Sequence, residues 1–348
     1  MSSARCPLVI LLGLPHDCEN WSMKSLMLQL LITIVGVLSA TGGARAQAKF
    51  PPDSDNAALR YWTALTAMMR DPIHEDETTQ KLLSATIKGE IPWDENKLGP
   101  LLEANADALQ AMQRGAKLPE CNWGLDFRVG TNPYGGMLMR ARSLERLSTL
   151  EGIRELAKGN GEKAVNTWLS GIRFSQDVGR GGPAIMALVA SAMLTDISEA
   201  MTAQAKQGKL PQAQKKALYE AIKQLPEDGF DWGISWGIEY AIANQFLEGL
   251  RKASDPRAAY KEVGMPAPKG LPPTQQDIAR YGEFMLATQS AFRNPPDIAT
   301  PLLNDLESRE HSLPEVERSF IPSLSTCNHN RIGVFSERNE LLRALASN

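Results

Sequence analysis

Gly233-Ile234-Ser235-Trp236-Gly237 matches G-x-S-x-G, the turn on which serine hydrolases present their nucleophile. A serine hydroxyl is a poor nucleophile at its own pKa, so it needs a base, and the base needs an orienting acid. Asp297 or Asp305, then His311 or His329, stand in a suitable chain order. Glu239, four residues after Ser235, adds a carboxylate to the same stretch. The context points the other way. A nucleophile elbow joins a strand to a helix, and no strand pattern precedes Gly233. Asp231-Trp232-Gly233 reads as a helix start, which puts Ser235 in a first turn and makes Gly233 and Gly237 places of close helix approach. Catalysis by Ser235, Glu239 and His311 is therefore the alternative to a structural role.

Cys121 and Cys327 are the two thiols that follow an apolar leader. In an exported chain, an even pair is most simply a disulfide, here closing a loop of about 200 residues. The metal alternative joins Cys121 and Cys327 to His329 and His311. Cys-x-His is not a strong zinc spacing, so no metal or other cofactor is expected. His74-Glu75-Asp76-Glu77 sets an imidazole beside three carboxylates, but acids in a first helical turn complement the helix dipole.

Asp196 and Glu199 interrupt an otherwise apolar helix at 184–206. A carboxylate beside a buried helix is costly unless paired, and Arg140, Arg142, Arg146 and Arg173 are the candidate partners. Such pairs either line a polar cleft fit for acid–base work or simply hold helix crossings together. Trp123, Phe127 and Tyr134 lie in a glycine-rich stretch, 117–136, that is long for a loop between helices. Their rings would stack on a sugar or peptide, with Arg142 as a binding partner, or else plug the end of a bundle.

The elements that must position these groups are helices. Ala58, Tyr61/Trp62, Leu65 and Met68 recur at helical spacing, as do Val165, Trp168/Leu169 and Ile172. The pattern predicts helices over 56–69, 77–88, a third opened by Pro100, then 137–158, 162–178, 184–206, one opened by Pro211, 233–253, 274–293 and 335–345. Residues 254–273 and 294–334 read as irregular. No stretch alternates with period two, so the fold class is all-α. Three regions are expected: 47–136, with N-terminal helices and the aromatic loop; 137–253, with stacked antiparallel helix hairpins; and 254–348, loop-rich and packed on the rest.

Ala164-Val165, Trp168-Leu169 and Gly171-Ile172 resemble the first helix of tetratricopeptide-type repeats. Asn56-Ala-Ala-Leu-Arg-Tyr-Trp62, Cys121-Asn-Trp-Gly124 and the helix Arg140–Leu156 resemble a group of uncharacterised exported all-helical bacterial proteins. The resemblance implies a helical fold and export, and it assigns no activity.

Export also follows from the leader itself. Met23-Lys24, the apolar run Leu26–Leu38 and Ala44-Arg45-Ala46 fit a secretory signal cut after Ala46. Residues 1–22 are either an upstream start ahead of Met23 or part of a longer leader. The apolar run is short for a membrane span, so no stable span is expected after cleavage. Lys+Arg 37 against Asp+Glu 40 gives a net charge of −3, which argues against a nucleic-acid partner. An apolar content of 43% excludes a largely disordered chain. The sequence thus predicts a periplasmic or secreted helical scaffold that binds a peptide, protein or envelope polymer without catalysis. A hydrolase using Ser235 or a carboxylate pair is the alternative.

Overall fold

A computed structural model describes residues 51–126, 133–262 and 268–347. Among these residues there are fourteen α-helices and no strand, so the chain is all-α. The helices are α1 (Ala57–Ala67), α2 (Glu77–Ile87), α3 (Glu95–Ala104), α4 (Ala106–Gly115), α5 (Pro133–Ala157), α6 (Gly161–Gly179) and α7 (Ala184–Lys206). There follow α8 (Gln212–Lys223), α9 (Trp232–Lys252), α10 (Pro256–Glu262), α11 (Gln275–Phe292), α12 (Pro296–Glu310), α13 (Glu315–Arg318) and α14 (Leu324–Ala346).

The apolar helix α7 lies at the centre, packed against α2, α5, α6, α9 and α14. Among the described residues it alone is long and apolar enough to cross a membrane, and 67% of that stretch is buried within the protein. It and α14 run the same way: Ala192 and Glu199 face the same cavity as His329 and Glu337, and Lys206 then pairs with Glu340 beyond them.

α5 and α6 form an antiparallel hairpin. Trp168 Nε1 donates to the carbonyl of Thr149 at 3.1 Å, and Ser148 Oγ to that of Thr167 at 3.3 Å. The buried indole of Trp168 lies directly on Gly152, where a Cβ would overlap it. Gly152→Ala gains about 1 kcal/mol of helix propensity. It loses about 1–3 kcal/mol to overpacking, because the hydrogen-bonded indole cannot swing aside. Crowding wins, so its urea midpoint is expected to fall. Gly249→Ala, where a Cβ would meet open space, should leave the midpoint unchanged or raise it. A rise in both would disprove the close approach.

Several predicted boundaries move. Pro100 does not open α3. The helix starts at Asp94, whose side chain accepts from Asn96 N and Lys97 N, and Pro100 sits inside it. The stretch predicted irregular at 294–334 is largely helical. Pro296 occupies a first-turn position, where a missing N–H costs nothing, and Ala299, Leu303 and Leu306 bury one stripe despite Pro301. Ser323 accepts from Thr326 N and starts α14 eleven residues before the predicted start at 335. The short α10 interrupts the expected 254–273 loop.

Candidate functional site

Of the residues expected to act as a hydrolase, Ser235 and Glu239 are both buried in α9. Ser235 is fully buried in the first turn of α9, and its hydroxyl donates to the Gly179 carbonyl at 2.6 Å. A helix, not a strand, contains the whole G-x-S-x-G match. Cβ atoms at Gly233 and Gly237 would strike Arg293 and Gln289, so the glycines serve close packing. Glu239 is buried one turn on, and its Oε2 accepts from Ala184 N at 3.0 Å, capping the start of α7. Burial pushes its carboxyl up to about 7. His311 is exposed at the C-terminal cap of α12.

The aromatic loop begins as a plug. Trp123 is only 5% exposed; its ring stacks on Tyr61 at 5.5 Å and meets Trp62 edge-on at 5.6 Å. Its Nε1 donates to the carbonyl of Asp177 at 2.9 Å. Asn56 clamps the loop by donating to Asn122 O at 3.0 Å and accepting from Asn122 N at 2.9 Å. Trp123 therefore has no free face for a ligand. Phe127 and the Tyr134 side chain lie outside the described residues.

The same contacts explain the motifs that drew attention in the sequence. Asn56, Tyr61 and Trp62 are the partners of Asn122 and Trp123, and Arg140 binds the carbonyls of Leu65 and Met68 at the end of α1. They are one structural joint, completed by Asp177. This carboxylate accepts from Tyr61 Oη at 2.9 Å, Arg173 Nε at 3.0 Å and an Arg180 terminal nitrogen at 2.6 Å.

The expected Cys121–Cys327 disulfide is corrected by the structure, in which both thiols are free. Cys121 sits against α1 beside Asp177, whereas Cys327 is buried in α14 near Glu239 of α9. Different helices enclose them, and an even count of cysteines carries no information about proximity. Burial pushes both thiols up, so neither is an activated nucleophile. No cluster of three or more metal-ligating side chains occurs among the described residues. In the His74–Glu77 segment, Asp76 caps α2 through Thr79 N and Glu75 pairs with Arg70.

The expected pairing with α5 arginines forms for Asp196 and not for Glu199, and both carboxylates line a pocket. Asp196 Oδ2 lies 3.5 Å from the Arg142 guanidinium and 3.2 Å from Arg146 Nε. Arg140 and Arg173 are engaged elsewhere, as described. The pocket, of about 410 Å³, is walled by α2, α5, α7 and α14. Arg142 is almost wholly buried, yet a guanidinium starts so far above neutrality that it stays charged. Arg146 is less tightly held. A terminal nitrogen reaches Ser84 Oγ at 3.3 Å, while its Nε and Asp196 Oδ2 are close but make no well-aligned hydrogen bond. Behind them Glu145 is fully buried, with Oε1 accepting from Thr149 Oγ1 at 2.6 Å. Burial, with Asp196 adding to it, pushes the Glu145 carboxyl well above the ordinary range.

The other end of the pocket is acidic. Glu199, one turn along α7, and Glu337, on α14, are half-buried in its wall. Burial, then Asp196, then Glu337 raise the Glu199 carboxyl, and these outweigh the opposing pull of Lys88 and Arg146. Burial and Glu340 likewise raise Glu337. His329 stands exposed at the rim.

Sequence reading missed Glu145, Lys88 and Glu337. Glu145 carried a signal: α5 buries residues on nearly every side, so each charge within it required a partner. A second, open groove of about 1020 Å³ runs beside Gln113, Asn160, Thr167 and Gln214. It is polar and shallow, and its Lys163 is already bonded to Glu155 at 3.0 Å. Fold and site together define an all-helical protein with a mixed-charge pocket between its central helices. No protein-family model, curated protein or solved structure matches the chain.

Proposed function

We propose that this chain is an exported helical binding protein that takes a peptide, protein segment or envelope polymer by an acidic group in the Arg142–Arg146 pocket. The observation that carries the reading is Arg146. It lines a cavity of about 410 Å³, its side chain is 18% exposed, and a terminal nitrogen reaches only Ser84 Oγ at 3.3 Å. An anionic group entering there meets a charged donor that needs little desolvation. Both guanidiniums converge on Asp196, and burial raises the Glu145 carboxyl behind them. The successive hairpins of α5, α6 and α7 support a short tetratricopeptide-like superhelix as the scaffold, and the leader at 1–46 supports export.

Binding is favoured over hydrolysis because Ser235 has spent its proton on a carbonyl. Burial raises the Glu145 carboxyl beside Asp196, a feature that acid–base pairs share. Glu145, however, lies behind the pocket wall and does not line it. The protein, immobilised and exposed to a mixture of tripeptides with free carboxyl termini, is expected to retain a subset readable by mass spectrometry. Arg146→Gln, folded by circular dichroism, should retain roughly a tenth as much, as loss of one charged anchor implies. Equal retention by both proteins would refute the assignment.

A further inference from the structure

The pocket has two electrostatic ends, and only one of them suits an anion. On α7, Asp196 and Glu199 are three residues apart, an axial rise of about 4.5 Å. At the Asp196 level the guanidiniums of Arg142 and Arg146 converge on one carboxylate. At the Glu199 level two carboxylates, Glu199 and Glu337, face one cavity from different helices. Neither has a hydrogen bond or ion pair with a protein cation here: Lys88 and Arg146 are close enough to be felt electrostatically by Glu199, but bond to neither acid. Lys206 is bonded to Glu340 instead.

Two carboxylates half-buried side by side repel one another, and both are disfavoured in the charged form by desolvation. An ammonium group placed between them relieves the repulsion and supplies the donors they lack. A carboxylate at the other end does the same for Arg146. One molecule bearing both groups, spaced by about one helical turn, satisfies the two ends together. Extended chain covers about 3.5 Å per residue, so one amino acid and a dipeptide bracket this rise of about 4.5 Å.

We infer that the ligand is zwitterionic, a molecule of amino-acid to dipeptide size whose carboxylate meets Arg146 and whose ammonium meets Glu199 and Glu337. The inference rests on the pocket being the binding site proposed above, and adds the class of ligand.

Calorimetric titration with Ala-Ala, N-acetyl-Ala-Ala and Ala-Ala amide tests it. The first carries both charges, the second only the anion, the third only the cation. The full-length protein is expected to bind Ala-Ala at least about tenfold more tightly than either blocked form. Glu199→Gln should reduce Ala-Ala to the level of N-acetyl-Ala-Ala, and Arg146→Gln should reduce it to the level of Ala-Ala amide. N-acetyl-Ala-Ala binding as tightly as Ala-Ala, with Glu199→Gln having no effect, would overturn the zwitterion and leave the anion-binding pocket standing. Failure of all three probes to bind the unmodified protein would overturn both.

Discussion

Asp177→Ala is expected to destabilise the protein by about 3 kcal/mol. The carboxylate is almost wholly buried and accepts three hydrogen bonds, from Tyr61, Arg173 and Arg180. Removing it strands a fully buried phenol, which costs about 1–3 kcal/mol when no acceptor replaces it. Breaking a buried ion pair by deleting one partner costs about 3–5 kcal/mol when the remaining charge is sealed from water. Here the arginines are 31% and 37% exposed and can turn to solvent, so the lower end applies. The effect should propagate, because the Trp123 plug hangs on the same residue through its carbonyl. Asp177→Asn keeps an acceptor for Tyr61 and should cost about half as much. Urea unfolding of the three proteins checks this. An alanine variant as stable as the parent would mean that the joint contributes nothing to the fold.

Stability should fall by about 3 kcal/mol between pH 4.5 and pH 7 on account of Glu239 alone. The native carboxyl titrates at about 7, against an ordinary value of 4.5. Between these values the folded chain binds a proton that the unfolded chain releases, so raising the pH favours unfolding. The contribution is complete below pH 4.5 and is lost as pH rises through 7. Each unit of difference is worth about 1.4 kcal/mol. The groups that face Glu239 do not offset this: Tyr281 and Cys327 are buried and held in their neutral forms. Glu239→Gln retains an acceptor for Ala184 N and cannot ionise. Its urea midpoint should change less between pH 5 and pH 8 than that of the parent. Parallel profiles would show that Glu239 is not the titrating group. Glu145 acts in the same direction, so some slope should persist in the variant.

The helices were legible where the apolar period ran clear of proline. Gly159-Asn160-Gly161 and Pro183 mark the ends that α5, α6 and α7 adopt. Around Pro296, Pro301, Pro314 and Pro322 the period was masked, although the buried stripe Ala299, Leu303, Leu306 is regular. Proline weighs heavily in a local reading and lightly where tertiary packing holds the helix. Half of the pocket could be read in advance. Asp196 on an apolar helix demanded a cation, and arginines one turn apart on a neighbouring helix offered it. Glu337 could not be read, because its position opposite Glu199 depends on α14 lying alongside α7, far off in sequence. The cysteine pair misled because parity says nothing about distance, and G-x-S-x-G misled because a five-residue pattern fits a tightly packed helix as well as an elbow.

The pocket walls come from α2 near the beginning of the described chain and α14 at its end, with α5 and α7 between them. No contiguous fragment short of that span holds all four walls. The entropy of drawing Ser84 and Glu337 to one cavity is met by the packing of the helices, before any ligand arrives. A bound molecule then adds its free energy to the closed arrangement alone, since the open chain offers it no site. Occupancy would thus guard the last helix against peeling from α7, the step by which a protease would gain the C-terminal end.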